Sequence, residues 1–182
     1  GLSYLDAEQA ALNEAQLSAI REQSSVYDPA SILYTSGSTG IPKGSIQNHF
    51  SYIHWTEATV EMYGMDAHTV LGNQSPFFYA NSIFEVFLPI ALGAKVYMLP
   101  SGVLTFPRRL IECLNANHVT ALCMTPSSFI SVVKAGVLTP GCLPELKWGV
   151  MSGESMPFRP LSIWMQATPN ANSIQVKQVE RF

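Results

Sequence analysis

The chain has 182 residues, enough for one domain with a hydrophobic core, and a formal net charge of −3. Apolar residues make up 47% and charged residues 13% of the chain, against about 25% charged in a typical soluble domain. The shortage of charge indicates that other protein covers much of the surface, and the lack of a basic block disfavours nucleic acid as a partner.

No membrane span is predicted, because the most apolar run, residues 83–100, contains Glu85, Pro89, Gly93 and Lys95. The cysteines are odd in number and lack Cys-x-x-Cys spacing, which favours structural thiols in a reducing cytoplasm. The histidines show no metal-ligand spacing, so no metal site is predicted within the chain. The sequence begins with Gly1 and shows no signal peptide, which predicts a fragment or a processed chain.

Residues 1–28 are polar and rich in alanine, glutamine and glutamate, with a short helix predicted over residues 6–21. We interpret them as a connector or as the tail of a preceding subdomain. Asp28-Pro29 ends this region, because the residue before a proline is disfavoured in the helical conformation. The remaining residues, 29–182, are predicted to form one domain or part of one.

A glycine- and hydroxyl-rich loop follows a strand-like apolar run at residues 31–34. Residues 34–44 read Tyr-Thr-Ser-Gly-Ser-Thr-Gly-Ile-Pro-Lys-Gly. Glycines let the backbone approach a ligand closely, and hydroxyls and backbone N–H groups can form a concavity for phosphate oxygens, to which Lys43 adds a positive charge. Lys43 precedes Gly44, the reverse of the Gly-Lys order of a Walker A loop, and no Walker B-like acidic strand end follows. An unrelated P-loop phosphotransferase is therefore disfavoured.

Helices and strands alternate after the loop. Asn48 is predicted to cap a helix that runs to Tyr63 and is closed by Gly64. Further predicted strands cover residues 69–74, 95–99, 119–124, 146–151 and 173–176. Further predicted helices cover residues 82–92, 107–117, 127–135 and 157–166, the last with Phe158, Leu161, Trp164 and Met165 facing inward. Short apolar strands alternating with helices predict an α/β fold of βαβ units, in which helices flank a mainly parallel sheet. Trp148 and Trp164 are predicted core residues.

The loop at residues 34–44 resembles, without a departure, the phosphate-binding signature of the adenylate-forming (AMP-binding) superfamily. This superfamily includes acyl-CoA synthetases and the adenylation domains of nonribosomal peptide synthetases. Residues 75–87, 119–127 and 148–157 are similar to later stretches of the family in the same order, with Ser152 in place of the first glycine of a Gly-Gly-Glu turn. The resemblance covers about residues 28–170. It implies that residues 29–182 are the central part of the family's large N-terminal domain, truncated at both ends.

The resemblance implies ATP-dependent activation of a small carboxylic acid as an acyl-adenylate, with release of pyrophosphate. The acyl group would then pass to a thiol of a carrier protein or of CoA. ATP and Mg²⁺ are the implied cofactors, and the family's main metal-binding glutamate is expected beyond this chain. The isolated chain is therefore expected to be inactive. The alternative is a truncated, non-catalytic paralogue that binds only nucleotide or a protein partner.

Candidate site residues follow from the same resemblance, which implies a catalytic role for Lys43. The implied nucleotide contacts are Thr35, Ser36, Gly37, Ser38, Thr39, Gly40, Lys43, Gly153 and Glu154. Glu154 is expected to brace its turn, and Glu85 is expected to anchor a helix without touching ligand.

The implied substrate-pocket residues are Phe78, Ala80, Asn81, Phe84, Cys123, Val150 and Ser152. Adenylation domains for α-amino acids usually have an aspartate at the position of Ala80, where it pairs with the substrate ammonium. A buried ammonium without a partner is costly, so Ala80 argues against an ordinary α-amino acid. Asn81 could offer hydrogen bonds to a hydroxy, keto or aryl acid.

Overall fold

The structure is a computed structural model that describes residues 13–35, 41–77, 79, 82–152, 154–171 and 173–177. Contacts divide these residues into two compact units, one up to Ser51 and one from Tyr52 onward. The sequence-predicted boundary between residues 28 and 29 stays a prediction. The bounds of the helices and strands, numbered along the chain, are α1 Glu14–Gln23, β1 Pro29–Thr35, β2 Lys43–Asn48, α2 His49–Tyr63, β3 Val70–Asn73, α3 Ser82–Leu92, β4 Lys95–Met98, α4 Pro107–Ala116, β5 Ala121–Met124, α5 Pro126–Lys134, β6 Trp148–Ser152, α6 Phe158–Ala167 and β7 Ser173–Lys177.

The first unit is built on an antiparallel pair of strands. β1 and β2 pair along their length, up to the residues on either side of the glycine-rich loop, Thr35 and Lys43. Helix α1 buries none of its residues. β2 was not predicted from the sequence, because Lys-Gly-Ser-Ile-Gln-Asn contains one apolar residue and shows no alternation. Its extended conformation follows from its hydrogen bonds with β1.

The second unit contains a parallel sheet, which in the described part of the chain has five strands in the order β4-β3-β5-β6-β7. The predicted α/β fold with a mainly parallel sheet is confirmed. All four residues of β5 are buried, as expected for a central strand covered on both faces. The chain passes from β3 to β4 on one side and then crosses to β5 on the other side of β3, so the strand order reverses beside β3.

Alternating residues of the strands supply two hydrophobic clusters, one on each face of the sheet. On one face Leu122, Met124 and Met151 pack with side chains from α4, α5 and α6. Trp164 of α6 is 1% exposed, and its Nε1–H donates to the carbonyl oxygen of Phe129 over 3.0 Å. This hydrogen bond satisfies the indole N–H inside an apolar cluster and joins α6 to α5.

The second cluster lies on the opposite face, where α2 and α3 pack. Its buried residues are Tyr63, Met65, Leu71, Phe84, Leu88, Ala121, Cys123, Trp148 and Val150. The Trp148 Nε1–H donates to the carbonyl oxygen of Tyr63 over 2.9 Å, which ties β6 to the end of α2. The prediction that Trp148 and Trp164 are core residues is confirmed.

The predicted elements from Asn48 onward begin and end within two residues of the observed ones. The Asn48 side chain accepts a hydrogen bond from the Ser51 N–H over 2.8 Å, as predicted for a helix cap. Two inward assignments in α6 are wrong, since Phe158 is 80% and Met165 is 55% exposed. The buried side follows Leu161 and Trp164 at a spacing of three; Met165 is rotated about 100° from Trp164, and Phe158 lies at the first residue of the helix.

In the described part of the chain, no helix is both long enough and apolar enough to cross a membrane.

Two residues of α3 test the packing directly, because Leu88 is fully buried and Ile90 is 74% exposed. We expect Leu88→Ala to lower the free energy of unfolding by about 2–5 kcal/mol, through lost burial and the cavity left behind. The matched change Ile90→Ala should stay within about 0.5 kcal/mol of the parent. Urea titration followed by tryptophan fluorescence measures both, and equal effects would contradict the placement of α3.

Candidate functional site

The glycine-rich loop is presented by the β1–β2 pair. Thr35 and Lys43 are Cα partners at the end of the pairing, so they bring the two ends of the loop together. Lys43 is exposed. Five of the implied nucleotide-binding residues, Ser36, Gly37, Ser38, Thr39 and Gly40, lie outside the described residues, as does the side chain of Thr35. The strand predicted before the loop is confirmed.

Gly44 lies beside side chains of the paired strand β1. It pairs with Tyr34, and a Cβ built on it would lie 2.8 Å from Cγ2 of Ile32 and 3.4 Å from Cε1 of Tyr34. Real Cβ atoms do not come as close as 2.8 Å to another heavy atom, so a side chain here would make the exposed Ile32 side chain shift. The last glycine of the motif therefore leaves room for Ile32 at the base of the hairpin.

The second unit brings polar residues together at the carboxyl edge of the sheet. Parallel strands end on the same edge, so Asn73, Met124 and Ser152 terminate β3, β5 and β6 there. Ligands of open α/β sheets bind outside this edge, beside the point where the strand order reverses. In this fold the reversal falls between β3 and β5, so the segments after Asn73 and Met124 flank the expected site.

A buried carboxylate lies at this point. Glu85, in the first turn of α3, is 2% exposed. Its Oε2 accepts hydrogen bonds from the Asn73 side-chain amide and from the Ser75 N–H (3.3 Å), and its Oε1 accepts from the Gln74 N–H (3.3 Å). Burial raises the pKa of Glu85 to about 7, although these hydrogen bonds oppose the rise. The prediction that Glu85 anchors its helix agrees with this arrangement.

Three implied pocket residues lie together in the second cluster. Phe84, Cys123 and Val150 are 4%, 3% and 5% exposed, and Cys123 and Val150 are Cα partners on neighbouring strands. Burial, with a smaller contribution from Glu85, raises the pKa of the Cys123 thiol to about 12, so this sulfur is neutral at pH 7 and suits a wall rather than a nucleophile. The pKa of the nearby Tyr63 is raised by burial too.

Four other implied pocket positions have no described side chain. Phe78, Ala80 and Asn81 lie outside the described residues, and only the backbone of Ser152 is described. Whether they line the same pocket stays a prediction.

Glu154 connects the turn after β6 to the start of α5. Its Oε2 accepts from the Ser127 N–H over 3.2 Å, and its Oε1 accepts from the Ser127 hydroxyl over 3.3 Å. A carboxylate at a helix N-terminus is stabilised by the unpaired N–H groups and by the helix dipole. This contact agrees with the expected bracing role of Glu154. Its neighbour Gly153 lies outside the described residues.

Sequence reasoning missed two contributors to this edge. Gln74 donates its side-chain amide to the Cys123 carbonyl oxygen over 3.2 Å and to the Ser75 hydroxyl over 2.9 Å, bridging β3 and β5 across the reversal. Ser127 donates its backbone N–H and its hydroxyl to the Glu154 carboxylate. The only available signal for Gln74 was its position directly after a strand, and Ser127 could have been inferred from the Thr125-Pro126 helix start.

A glycine-rich motif between two paired strands and a parallel sheet with a reversal of strand order place the chain in the α/β class, in which both features are common among proteins that bind phosphorylated ligands. The family model described as "AMP-binding enzyme" matches residues 3–178, and the chain belongs to this family of adenylate-forming enzymes. ATP is the nucleotide that this family uses.

Curated relatives of the chain come from fungi and bacteria. The chain is 32% identical over 131 residues, 71% of its length, to the polyketide synthase-nonribosomal peptide synthetase pyiS of Pyricularia grisea, of which it covers 3%. It is 27% identical over 134 residues, 74% of its length, to an L-proline--[L-prolyl-carrier protein] ligase of Pseudomonas fluorescens, of which it covers 27%. The chain thus spans less than a third of the length of these relatives.

Solved structures share the fold. The crystal structure of IdnL7 matches with a TM-score of 0.75 and 25% identity, over 86% of this chain and 30% of that chain. The Vibrio cholerae adenylation domain AlmE, solved with glycyl-adenosine-5′-phosphate, matches with a TM-score of 0.73 and 21% identity, over 90% of this chain and 30% of that chain. At 21% identity, the similarity to AlmE shows a shared fold only.

The raised pKa of Glu85 predicts a pH-dependent stability. The folded protein, in which the pKa of Glu85 is about 7, binds the proton more tightly than the unfolded chain, in which the pKa is 4.5. The proton therefore stabilises the fold fully below pH 4.5, and this contribution is lost as the pH rises through 7. We expect the free energy of unfolding to fall between pH 4.5 and 8 by up to about 3 kcal/mol more in the parent than in Glu85→Gln.

Urea titrations across this pH range measure the difference in slope. Glu112→Gln makes the same chemical change at an exposed position of α4 and should keep the slope of the parent. Parallel slopes in the parent and Glu85→Gln would contradict the raised pKa.

Proposed function

We propose that this chain supplies the phosphate loop and the acid pocket of an ATP-dependent ligase that activates a carboxylic acid. A substrate carboxylate oxygen attacks the α-phosphorus of ATP. The bond from that phosphorus to the bridging oxygen breaks, and pyrophosphate leaves with the electron pair. A thiol of a carrier protein or of CoA then attacks the acyl carbonyl, and AMP leaves. Relatives that are named as carrier-protein ligases support this proposal, with a carrier protein as the favoured acceptor.

The observation that carries the proposal is the uninterrupted loop motif closed by Thr35 and Lys43. A loop held at both ends by a strand pair can direct its backbone N–H groups and hydroxyls at phosphate oxygens at a low cost in ordering. We assign to Lys43 the neutralisation of charge on the phosphates during the transfer. The remaining proposed contacts with nucleotide are Thr35, Ser36, Gly37, Ser38, Thr39, Gly40, Gly153 and Glu154.

The acid is proposed to bind at the carboxyl edge, between the segments after β3 and β5. Phe84, Cys123 and Val150, which are buried in the second cluster, are the proposed walls, because their neutral side chains suit the uncharged part of a substrate. Ala80 brings no carboxylate for an ammonium group, and Asn81 can hydrogen-bond a neutral polar group. We therefore propose a hydroxy, keto or aryl acid, with Phe78 and Ser152 completing the pocket.

The described residues contain no group of three histidine, cysteine, aspartate or glutamate side chains able to hold a metal ion by itself. Mg²⁺ usually needs only one or two carboxylates beside substrate phosphates. We propose that Mg²⁺ enters with the ATP phosphates and is held by residues other than the described ones. All three cysteines are free thiols in the structure, which supports the proposal that the protein works in a reducing, cytoplasmic environment.

Pyrophosphate exchange by the full-length protein tests the proposal. We expect isotope exchange from labelled pyrophosphate into ATP with a hydroxy, keto or aryl acid, and a decrease of kcat/KM by about 10²-fold in Lys43→Ala, from lost stabilisation of phosphate charge. Lys134→Ala removes an exposed lysine from the last turn of α5 and should leave exchange unchanged.

Equal exchange rates in Lys43→Ala and the parent would contradict the role of Lys43. A folded full-length protein that exchanges with no carboxylic acid would contradict the ligase. If that protein still bound ATP, the non-catalytic paralogue would be the better description.

A further inference from the structure

The first turn of α3 holds the segment that leads into it. Ser82 donates its hydroxyl to the carbonyl oxygens of Phe77 (3.0 Å) and Tyr79 (2.7 Å). The Tyr79 N–H in turn donates to the Pro76 carbonyl oxygen over 2.9 Å, so Tyr79 is also held to the backbone before it. The backbone just before the predicted pocket residues is therefore fastened to the helix that follows it.

Glu85 fastens the other end of this segment, at Gln74 and Ser75, through the hydrogen bonds described above. Both oxygens of the carboxylate are used, and three N–H groups converge on them. The Gln74 side chain carries the network on to the backbone of Cys123, one of the pocket walls. A shift of Glu85 would thus move both the segment before the pocket and its contact with β5.

We propose that Glu85 is a positioning residue that sets how tightly the acid is held, by keeping residues 74–77 fixed after β3. This inference rests on the proposed function, since it concerns the same acid pocket. Glu85 does not touch the acid: its carboxylate is directed at the backbone of Gln74 and Ser75, while its neighbour Phe84 belongs to the wall.

Both oxygens of Glu85 can accept from the three N–H groups whether the carboxyl is ionised or protonated, because a protonated carboxyl keeps acceptor capacity. Glutamine has the same shape, but its amide nitrogen would meet N–H groups where Glu85 offers an acceptor. At least one buried donor would lose its partner, and the segment would be free to shift. The conservative change Glu85→Gln is therefore the sharpest perturbation of the network.

The test is steady-state pyrophosphate exchange by the full-length protein carrying Glu85→Gln. We expect the KM for the acid to rise about tenfold, the equivalent of one lost hydrogen bond, with kcat and the KM for ATP unchanged. Glu112→Gln is the matched control and should leave all three values unchanged. If Glu85 acted in folding alone, Glu85→Gln would lower the amount of active enzyme, so the apparent kcat would fall while the KM for the acid stayed constant. That result would overturn the proposal, and so would an unchanged KM for the acid with an unchanged kcat.

A second substitution keeps the proposal testable if Glu85→Gln fails to fold. Asn73→Ala removes one of the three donors to Glu85, together with the hydrogen bond from the Asn73 amide to the Ser75 carbonyl oxygen (3.2 Å). It should raise the KM for the acid with kcat unchanged, whereas an unchanged KM would overturn the proposal.

Amide hydrogen exchange separates this inference from the proposed function. In Glu85→Gln the Gln74 and Ser75 amides should exchange about tenfold faster than in Glu112→Gln, because their buried acceptor is weakened. A parent enzyme inactive with every acid would overturn the ligase, while this measurement still tests the positioning of the segment. Unchanged protection of both amides would overturn the positioning role.

Discussion

The reversal of strand order beside β3 is the constraint on which the candidate site depends. The chain adds β4 on one side of β3 and β5, β6 and β7 on the other, so the segments that leave β3 and β5 diverge at the carboxyl edge. In open α/β sheets a ligand binds in the crevice that such a divergence creates. Here the Gln74 side chain bridges β3 and β5 at the divergence, and Glu85 accepts from the Gln74 backbone N–H. The substrate proposed here would lie above that bridge.

A buried carboxylate is a costly way to fix a loop, and its cost explains its surroundings. Desolvation raises the pKa of Glu85 to about 7, and the hydrogen bonds from Asn73, Gln74 and Ser75 oppose the rise. Among the described residues no lysine or arginine pairs with it. The same burial keeps Cys123, a proposed pocket residue, as a neutral thiol. The cost in stability thus falls where the Glu85 carboxyl fixes the segment after β3.

Sequence patterns predicted the parallel α/β fold because short apolar runs alternate with helical stretches along most of the chain. Strand β2 has no apolar run, and its observed partner is β1. The exposed Phe158 and Met165 show that apolar residues on a short helix need not all face the core. The Gln74 bridge and the contact of Ser127 with Glu154 join residues 49 and 27 positions apart, and no local pattern in the chain encodes such contacts.

The central claim is that the acid is activated at the carboxyl edge of the sheet, between β3 and β5. A crystal structure of the full-length protein with a non-hydrolysable acyl-adenylate analogue tests it most directly. We predict that the acyl group lies against Phe84, Cys123 and Val150. An acyl group bound at the opposite edge, beside the residues that precede the strands, such as His68 and Lys147, would contradict the claim.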